Sequence, residues 1–208
     1  LAAWFVIMGI ANQSFLTANN IVTVITRISE VAIVAVGMTI VIIAGGFDLS
    51  VGTVMAIVPA VMGLCYGMGM NFALAIILAV VIAAVIGLLN GVLIAKARFQ
   101  PIIGTLATMT ALRSIIYVIT DGRPVSSFPE GYEGLAHGSL AGIPIPIILM
   151  VVVAVAFAWV MTSTKFGRFV YATGGNPKAA NISGINTDRI TIMVYVLSAL
   201  LSALAGII

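Results

Sequence analysis

Residues 49–95, LSVGTVMAIVPAVMGLCYGMGMNFALAIILAVVIAAVIGLLNGVLIA, decide the fold. None of these 47 residues, which lie between Asp48 and Lys96, is formally charged. A bilayer core takes about 20 helical residues, so the stretch is too long for one crossing and fits two. GMGMN at residues 67–71 is the natural turn between them, because Gly and Asn favour turn conformations. The stretch therefore predicts two consecutive transmembrane helices.

The whole chain has the same character. Of its 208 residues, 62% are hydrophobic and 7% are charged, and the mean hydropathy is +1.26. Soluble domains carry about 25% charged residues, so this chain needs membrane lipid around it. The composition excludes a soluble enzyme, a disordered segment and a nucleic-acid-binding protein. One cysteine, Cys65, cannot form an intrachain disulfide, which excludes a disulfide scaffold.

Five further apolar runs are candidate membrane spans: residues 2–15, 31–45, 102–120, 143–164 and 190–208. They are apolar without strand alternation, which favours helices over a barrel. The sequence predicts an all-α, polytopic membrane protein with about six to seven membrane segments. We expect one domain over residues 1–208, and both apolar ends predict a fragment of a longer chain.

The run 31–45 is short for a membrane span. Residues 31–44 would cover about 21 Å at 1.5 Å per residue, well below the bilayer core of about 30 Å. One interpretation is a helix that begins earlier, capped near Asn19 or Asn20. The other is a broken helix that ends inside the protein near residues 45–50. The two interpretations are compatible.

The loop charges predict the orientation. Six of the nine positive charges lie in residues 96–100 and 165–189, and two predicted spans separate these loops, so both lie on one side. The loop 121–142 has one Arg among three acidic residues. Because cytoplasmic loops are enriched in Lys and Arg, we place 96–100 and 165–189 in the cytoplasm and 121–142 outside.

GGFDLSVG at residues 45–52 is the first informative motif. Two glycines can end one helix, and Asp48 or Ser50 can cap the next by accepting a backbone N–H. A carboxylate at membrane depth is costly unless it faces protein or water. Asp48 is therefore either a structural cap or, in addition, part of a polar path along a broken helix.

GGNPKAANISG at residues 174–184 is the second motif. Asn176 suits an N-cap, Pro177 the first helical position and Gly184 the position after the end. A helix of about two turns is unstable alone and needs a surface to pack on. That surface is either its own protein or lipid headgroups, or else a groove in a cytoplasmic partner.

Other polar and small residues leave alternatives open. Arg113 lies inside the span 102–120, where it either snorkels to the outer interface or serves a substrate path or ion pair. The pairs Gly63–Gly67 and Gly87–Gly91 predict close helix packing within the chain. Asn90, beside Gly91, carries an amide that needs a partner if it is buried.

The sequence contains no catalytic set. It has one His, one Cys and no phosphate-binding loop motif. We therefore predict that the chain is not an enzyme, that it holds no metal or cofactor, and that any ATP is bound by a partner subunit.

Several motifs of this chain follow one another in the same order as in one family of proteins. They are AVGMT at residues 35–39, GGFDLSVG at 45–52, Asn90-Gly91, TLATM at 105–109 with Arg113, FGR at 166–168 and GGNPKAANISGIN at 174–186. The chain resembles the permease subunits of bacterial ABC sugar importers of the ribose, xylose, arabinose and galactose group. One departure is Asn181, where the family usually has Arg.

The resemblance implies a multi-pass permease of the bacterial cell membrane that forms the path for a monosaccharide. Its expected partners are a second permease copy or homologue, a cytoplasmic ATP-binding subunit and an extracytoplasmic sugar-binding protein facing loop 121–142. The helix in residues 174–184 would be the coupling helix that meets the ATPase. Alternatives are a permease for nucleosides or branched-chain amino acids, or a secondary transporter or channel. The last is disfavoured because Asp48 and Arg113 are its only candidate intramembrane ionisable residues.

The candidate site residues form two sets. The ATPase-coupling set is Gly167, Arg168, Gly174, Gly175, Asn176, Pro177, Lys178, Ala179, Ala180, Asn181, Ser183 and Gly184. The translocation-path set is Asp48, Ser50, Asn90, Thr105 and Arg113.

Overall fold

The computed structural model describes residues 2–11, 15–132 and 138–208. Its helices are α1 (Ala2–Ala11), α2 (Ala18–Ile43), α3 (Val51–Gly67), α4 (Phe72–Ala95), α5 (Pro101–Ile119), α6 (Ile145–Ser163), α7 (Lys165–Gly175), α8 (Pro177–Ile182) and α9 (Thr187–Ile207). Two short antiparallel strands, β1 (Ser139–Leu140) and β2 (Ile143–Pro144), form a hairpin before α6.

The predicted all-α polytopic fold is confirmed. Within the described residues, five helices are long and apolar enough to cross a membrane, namely α2, α4, α5, α6 and α9. The shorter apolar helix α3 has 17 residues, the lower end of the range for a membrane span. The predicted span at residues 2–15 is helical over the 10 residues of α1, which cover only about half of the bilayer core.

Helix α2 begins earlier than the apolar run 31–45, as one interpretation predicted. Its N-cap is Thr17, whose Oγ1 accepts a hydrogen bond from Asn20 N–H at 3.4 Å, so the helix begins close to Asn19 and Asn20, as predicted. Its 26 residues cover about 39 Å, enough for a membrane crossing. The helix ends at Ile43 and α3 begins at Val51, which confirms the break near residues 45–50.

Helix α9 is the centre of the bundle and packs against α2, α3 and α4. The closest approach is to α4, where a Cβ on Gly87 would lie 2.7 Å from Tyr195 O, and one on Gly91 would lie 2.8 Å from Ile192 Cα. Neither position has room for a side chain. The predicted close helix contact at this glycine pair is therefore confirmed.

The core divides into apolar clusters on either side of α9. One cluster joins α3, α4 and α9 around Val58, Met62 and Ala83. Another joins α2, α7 and α9 around Ile40, Val170 and Tyr195. Large apolar side chains such as Trp159 on α6 are exposed, which fits a surface covered by lipid.

The loop after α5, predicted to lie outside the cell, packs against α3 at one end of the bundle. Gly63 and Gly67 on α3 face Val125 and Ser127 of this loop, so this glycine pair contacts a loop and not a helix, contrary to expectation. Tyr132 donates a hydrogen bond to Ile207 O at the end of α9, and burial raises the pKa of its phenol. Residues 133–137 of the predicted outer loop lie outside the described residues.

The end of the bundle that was predicted to be cytoplasmic carries one helix more than the sequence predicted. The polar stretch 165–189 contains two helices, α7 and α8, where the sequence predicted one. Asp188 in this stretch forms ion pairs with Lys96 and Arg98, so the two basic loops lie on the same side of the bundle, as the charge pattern predicted.

Candidate functional site

The break between α2 and α3 is held by backbone and side-chain hydrogen bonds. Gly45 adopts φ +81°, and the N–H groups of Gly45 and Gly46 bond back to Ile42 O and Val41 O, which closes the end of α2. The hydroxyl of Tyr195 on α9 accepts from Phe47 N–H at 3.2 Å and donates to Phe47 O at 3.1 Å. The backbone groups of the break are therefore hydrogen-bonded to the protein itself, although Gly45 and Phe47 remain exposed.

Asp48 is 1% exposed and acts as an acceptor for three groups. Its Oδ1 accepts from Ser50 N–H at 3.0 Å and from Ser50 Oγ at 2.6 Å. Its Oδ2 accepts from Ser198 Oγ on α9 at 3.3 Å. Of the two predicted caps, Asp48 accepts the N–H of Ser50, the residue just before α3, and also joins this position to α9. The Ser50 side chain makes no capping hydrogen bond to α3.

The polar network continues to α4 and α5. Asn90 Nδ2 donates to Ser50 Oγ at 2.9 Å, and Thr108 Oγ1 donates to Asn90 Oδ1 at 2.6 Å. Thr105 accepts from Leu49 N–H at 3.1 Å. Because an unpaired polar group is costly in a low-dielectric interior, a fully bonded network of this kind specifies one packing of these helices.

The structure brings four of the predicted path residues together and leaves the fifth apart. Asp48, Ser50, Asn90 and Thr105 are buried in one network. Arg113 lies on an exposed face of α5, two turns from Thr105, and forms no ion pair within the described residues. A substrate-contact role for these five residues stays a prediction.

Sequence reasoning missed three members of the network: Thr108, Tyr195 and Ser198. Tyr195 and Ser198 are three residues apart and share one face of α9. Polar side chains at that spacing in an apolar helix are the signal that could have identified this face as buried against another polar group.

Helix α7 folds back against the C-terminal ends of α6 and α2. A Cβ on Gly167 would lie 2.2 Å from Met161 O, and one on Gly174 would lie 1.8 Å from Ile43 O. Val170 between them is fully buried. Gly167 and Gly174 therefore contact their own chain closely, whereas a Cβ on Gly175, the third glycine of this helix, would meet nothing within 4 Å.

Helix α8 has the caps that the sequence predicted. Asn176 Oδ1 accepts from Ala179 N–H at 3.0 Å, and Pro177 occupies the first helical position. Gly184 adopts φ +84° after the last turn, and Ile185 N–H bonds back to Ala180 O at 3.0 Å. These bonds satisfy the terminal backbone groups of a helix that has only six residues.

One side of α8 packs on the protein and the other faces away. Ala180 is 5% exposed, while Ile182 is 89% exposed. Ile182 was not in the predicted coupling set. The exposed members of that set are Arg168, Gly175, Asn176, Pro177, Lys178, Ala179, Asn181, Ser183 and Gly184. An isoleucine this exposed on a capped helix is a candidate contact for another protein.

A polar cleft of about 350 Å³ adjoins α8. Arg98, Asn181, Asn186 and Asp188 line it, together with Gly184 and Ile185. Within it, Asp188 Oδ2 lies 3.1 Å from Lys96 Nζ and Asp188 Oδ1 lies 3.2 Å from Arg98 Nη1. The cleft therefore brings the end of α8, the start of α9 and the turn between α4 and α5 together.

These features define a class of protein: a polytopic helical membrane protein with a broken helix in the bundle and a short capped helix, α8, at the end of the bundle that carries the basic loops. Comparison with known proteins gives the family. Residues 20–208 match a family model described as branched-chain amino acid transport system / permease component, and the chain belongs to this family. No solved structure gives a significant match.

Curated relatives cover nearly the whole chain. The chain is 44% identical over 205 residues to the ribose import permease protein of Bacillus subtilis, covering 98% of this chain and 64% of that protein. It is 36% identical over 207 residues to the L-arabinose transport system permease protein of Escherichia coli, covering 100% and 63%. It is 38% identical over 188 residues to the galactofuranose transporter permease protein of Escherichia coli, covering 90% and 55%.

These matches confirm the resemblance to the permease subunits of bacterial sugar importers. The chain spans less than two thirds of the length of the relatives named here. With five helices in its described part that are long and apolar enough to cross a membrane, it is a multi-pass protein of the bacterial cell membrane, as expected.

Proposed function

We propose that the protein is the transmembrane subunit of an ATP-driven importer and forms the path for a monosaccharide. The observation that supports this most directly is the similarity over almost the whole chain to permeases named for ribose, arabinose and galactofuranose. A capped cytoplasmic helix with an exposed isoleucine at its end supports a mechanical connection to a partner.

In this proposal the chain performs no chemistry and holds no cofactor of its own. A separate cytoplasmic subunit binds and hydrolyses ATP and contacts α8. An extracytoplasmic sugar-binding protein delivers the substrate to the side of the outer loop, and a second permease copy or homologue completes the path. The motion of α8 changes how the membrane helices pack and thereby which side of the path is open.

The exposed face of α5 is the surface that best fits the path. Thr110, Arg113, Ser114 and Tyr117 are all exposed on this helix. Polar and charged side chains inside membrane segments are costly toward lipid and mark water-filled or protein-covered surfaces. On the opposite side of α5, Thr105 and Thr108 attach the helix to the buried network. A second permease would close this face to form a polar route.

The experiment is purification and reconstitution of the complete importer. The full-length permease is affinity-purified from native membranes, the copurifying subunits are identified, and the complex is placed in proteoliposomes. We expect an ATP-binding subunit and a sugar-binding protein to copurify, and monosaccharide uptake to require internal ATP. Uptake without any ATP-binding subunit would instead support a secondary transporter or channel.

The description of the matching family favours one second candidate. That description names branched-chain amino acid transport, so a permease for those amino acids, or for nucleosides, is the alternative. Uptake measured with ribose, L-arabinose, leucine and uridine, each with the copurified binding protein, separates these candidates. Uptake of leucine or uridine and of neither sugar would contradict the sugar assignment.

A further inference from the structure

Asp188 is shared by two cations from a distant part of the chain. Its Oδ2 lies 3.1 Å from Lys96 Nζ and its Oδ1 lies 3.2 Å from Arg98 Nη1. Lys96 is the C-cap of α4, Arg98 precedes the start of α5 at Pro101, and Asp188 is the second residue of α9. One carboxylate therefore joins the α4–α5 turn to the first turn of α9.

Hydrogen bonds also join the first turn of α9 to α8. Asn181 Nδ2 on α8 donates to Thr187 Oγ1, the first residue of α9, at 2.9 Å, and Thr187 is buried. The Asn186 side chain caps α9 by accepting from Arg189 N–H at 3.0 Å. These bonds leave little freedom between α8 and α9, so a displacement of α8 displaces Asp188.

Arg98 occupies an unusual backbone conformation for a side chain of its size. Its φ is +59°, the left-handed region that favours Gly or Asn over Arg. The turn would be less strained with Gly at this position. The interaction that Arg98 gains there is its ion pair with Asp188, so the strained position presents a cation to α9.

We propose that Lys96, Arg98 and Asp188 form a clamp that transmits the displacement of α8 to α5. This proposal rests on the proposed function, because it gives a role to the motion of α8. Asp188 is a positioning residue and contacts neither ATP nor sugar. Since partly exposed ion pairs contribute little to stability, the clamp matters for coordinated movement of α5, α8 and α9 more than for folding.

The test compares transport with ATP consumption in the complete importer. The full-length permease carries Asp188→Asn or Arg98→Gly, and the number of sugar molecules imported per ATP hydrolysed is measured in proteoliposomes. We expect this ratio to fall about two- to fivefold in both variants, the range that a partly exposed ion pair can produce. ATP hydrolysis continues, because the ATP-binding subunit is unchanged.

Three further measurements separate coupling from folding. Arg98→Gly relieves the backbone strain, so its thermal unfolding temperature stays at or above the wild-type value while its coupling ratio falls. Asp188→Glu keeps the carboxylate and retains the wild-type ratio. Lys165→Gln removes a cytoplasmic cation that forms no ion pair within the described residues, and it serves as the matched control with an unchanged ratio.

Wild-type ratios in both Asp188→Asn and Arg98→Gly would overturn the clamp, and so would a loss that tracks thermal stability alone. Either result leaves the proposed function intact if the wild-type complex imports sugar with ATP. If the wild-type complex shows no ATP-dependent uptake, the proposed function itself has failed.

Discussion

Asn176 Oδ1 accepts a hydrogen bond from the backbone N–H of Ala179 at 3.0 Å, and this bond fixes the first turn of α8. The helix has six residues, far below the length at which an isolated helix is stable in water. Its rigidity therefore depends on its caps and on its contacts with α7 and α9. A short helix held in this way can transmit a displacement between two bodies without melting.

Removing the cap should uncouple the importer. We expect Asn176→Ala to weaken α8 by about 1 kcal/mol, since it leaves a terminal N–H without its partner. The permease would still insert and fold, while sugar uptake per ATP hydrolysed in proteoliposomes falls. The matched control is Asn71→Ala, which removes the equivalent cap of α4 at the outer end, where Asn71 Oδ1 accepts from Ala73 N–H at 3.0 Å. Equal effects of the two substitutions would show that α8 has no special role.

We expect alanine substitutions at two adjacent glycines of α7 to have different effects on the stability of the protein. A Cβ at Gly174 would lie 1.8 Å from Ile43 O, while one at Gly175 would meet nothing within 4 Å. We expect Gly174→Ala to separate α7 from α2 and to cost about 1–3 kcal/mol or more, as overpacking does. Gly175→Ala should be neutral or slightly stabilising. Thermal unfolding in detergent measures both, and equal stability of the two variants would contradict the close contact between α7 and α2.

A second pair of glycine-to-alanine substitutions tests the contact between α4 and α9. Gly91→Ala would place a Cβ 2.8 Å from Ile192 Cα, in backbone that cannot move aside without shifting α9. We expect a loss of about 1–3 kcal/mol from this overpacking, read as a lower unfolding temperature. Gly52→Ala is the control, because a Cβ at Gly52 has nothing within 4 Å. A stable Gly91→Ala variant would mean that α4 and α9 are farther apart than in this structure.

Substitutions at Asp48 separate its structural role from a direct role in transport. Asp48→Asn keeps an oxygen that can accept from Ser50, so we expect folding and uptake to persist. Asp48→Ala leaves the buried groups of Ser50 and Ser198 without their acceptor, which costs about 1–3 kcal/mol for each unsatisfied group. Unfolding temperature and uptake are measured on both variants. A stable Asp48→Asn protein without uptake would show that the negative charge takes part in transport.

The parts of this fold that sequence could predict are those fixed by local chemistry. Asn176, Pro177 and Gly184 are within a few residues of the backbone groups they affect, so the caps of α8 were predictable. The same holds for the break after Gly45 and Gly46, where two glycines precede a capping carboxylate. Apolar runs long enough to span a bilayer likewise predicted the main helices.

The parts that could not be predicted depend on pairs distant in the chain. Ser198 is 150 residues from Asp48, and no local pattern connects them. Helix α7 has a local N-cap, because Thr164 Oγ1 accepts from Gly167 N–H at 3.3 Å, and this signal was missed. Its contact with Ile43 O on α2 lies far away in the chain and could not be predicted. Asn181 was assigned to the coupling surface by resemblance, and the structure adds a bond from its amide to Thr187 that no sequence pattern indicates.

The most direct test of the account is a photo-crosslink from Ile182, the 89% exposed residue at the end of α8. A photoreactive amino acid is placed there in the full-length permease, and native membranes are irradiated. The control position is Met68, which is 83% exposed at the opposite end of the bundle. We expect the Ile182 position to form an adduct with a cytoplasmic ATP-binding subunit and the Met68 position to form none. Adducts from Ile182 only with lipid or its own chain, or labelling of Ile182 from outside the cell, would contradict the account.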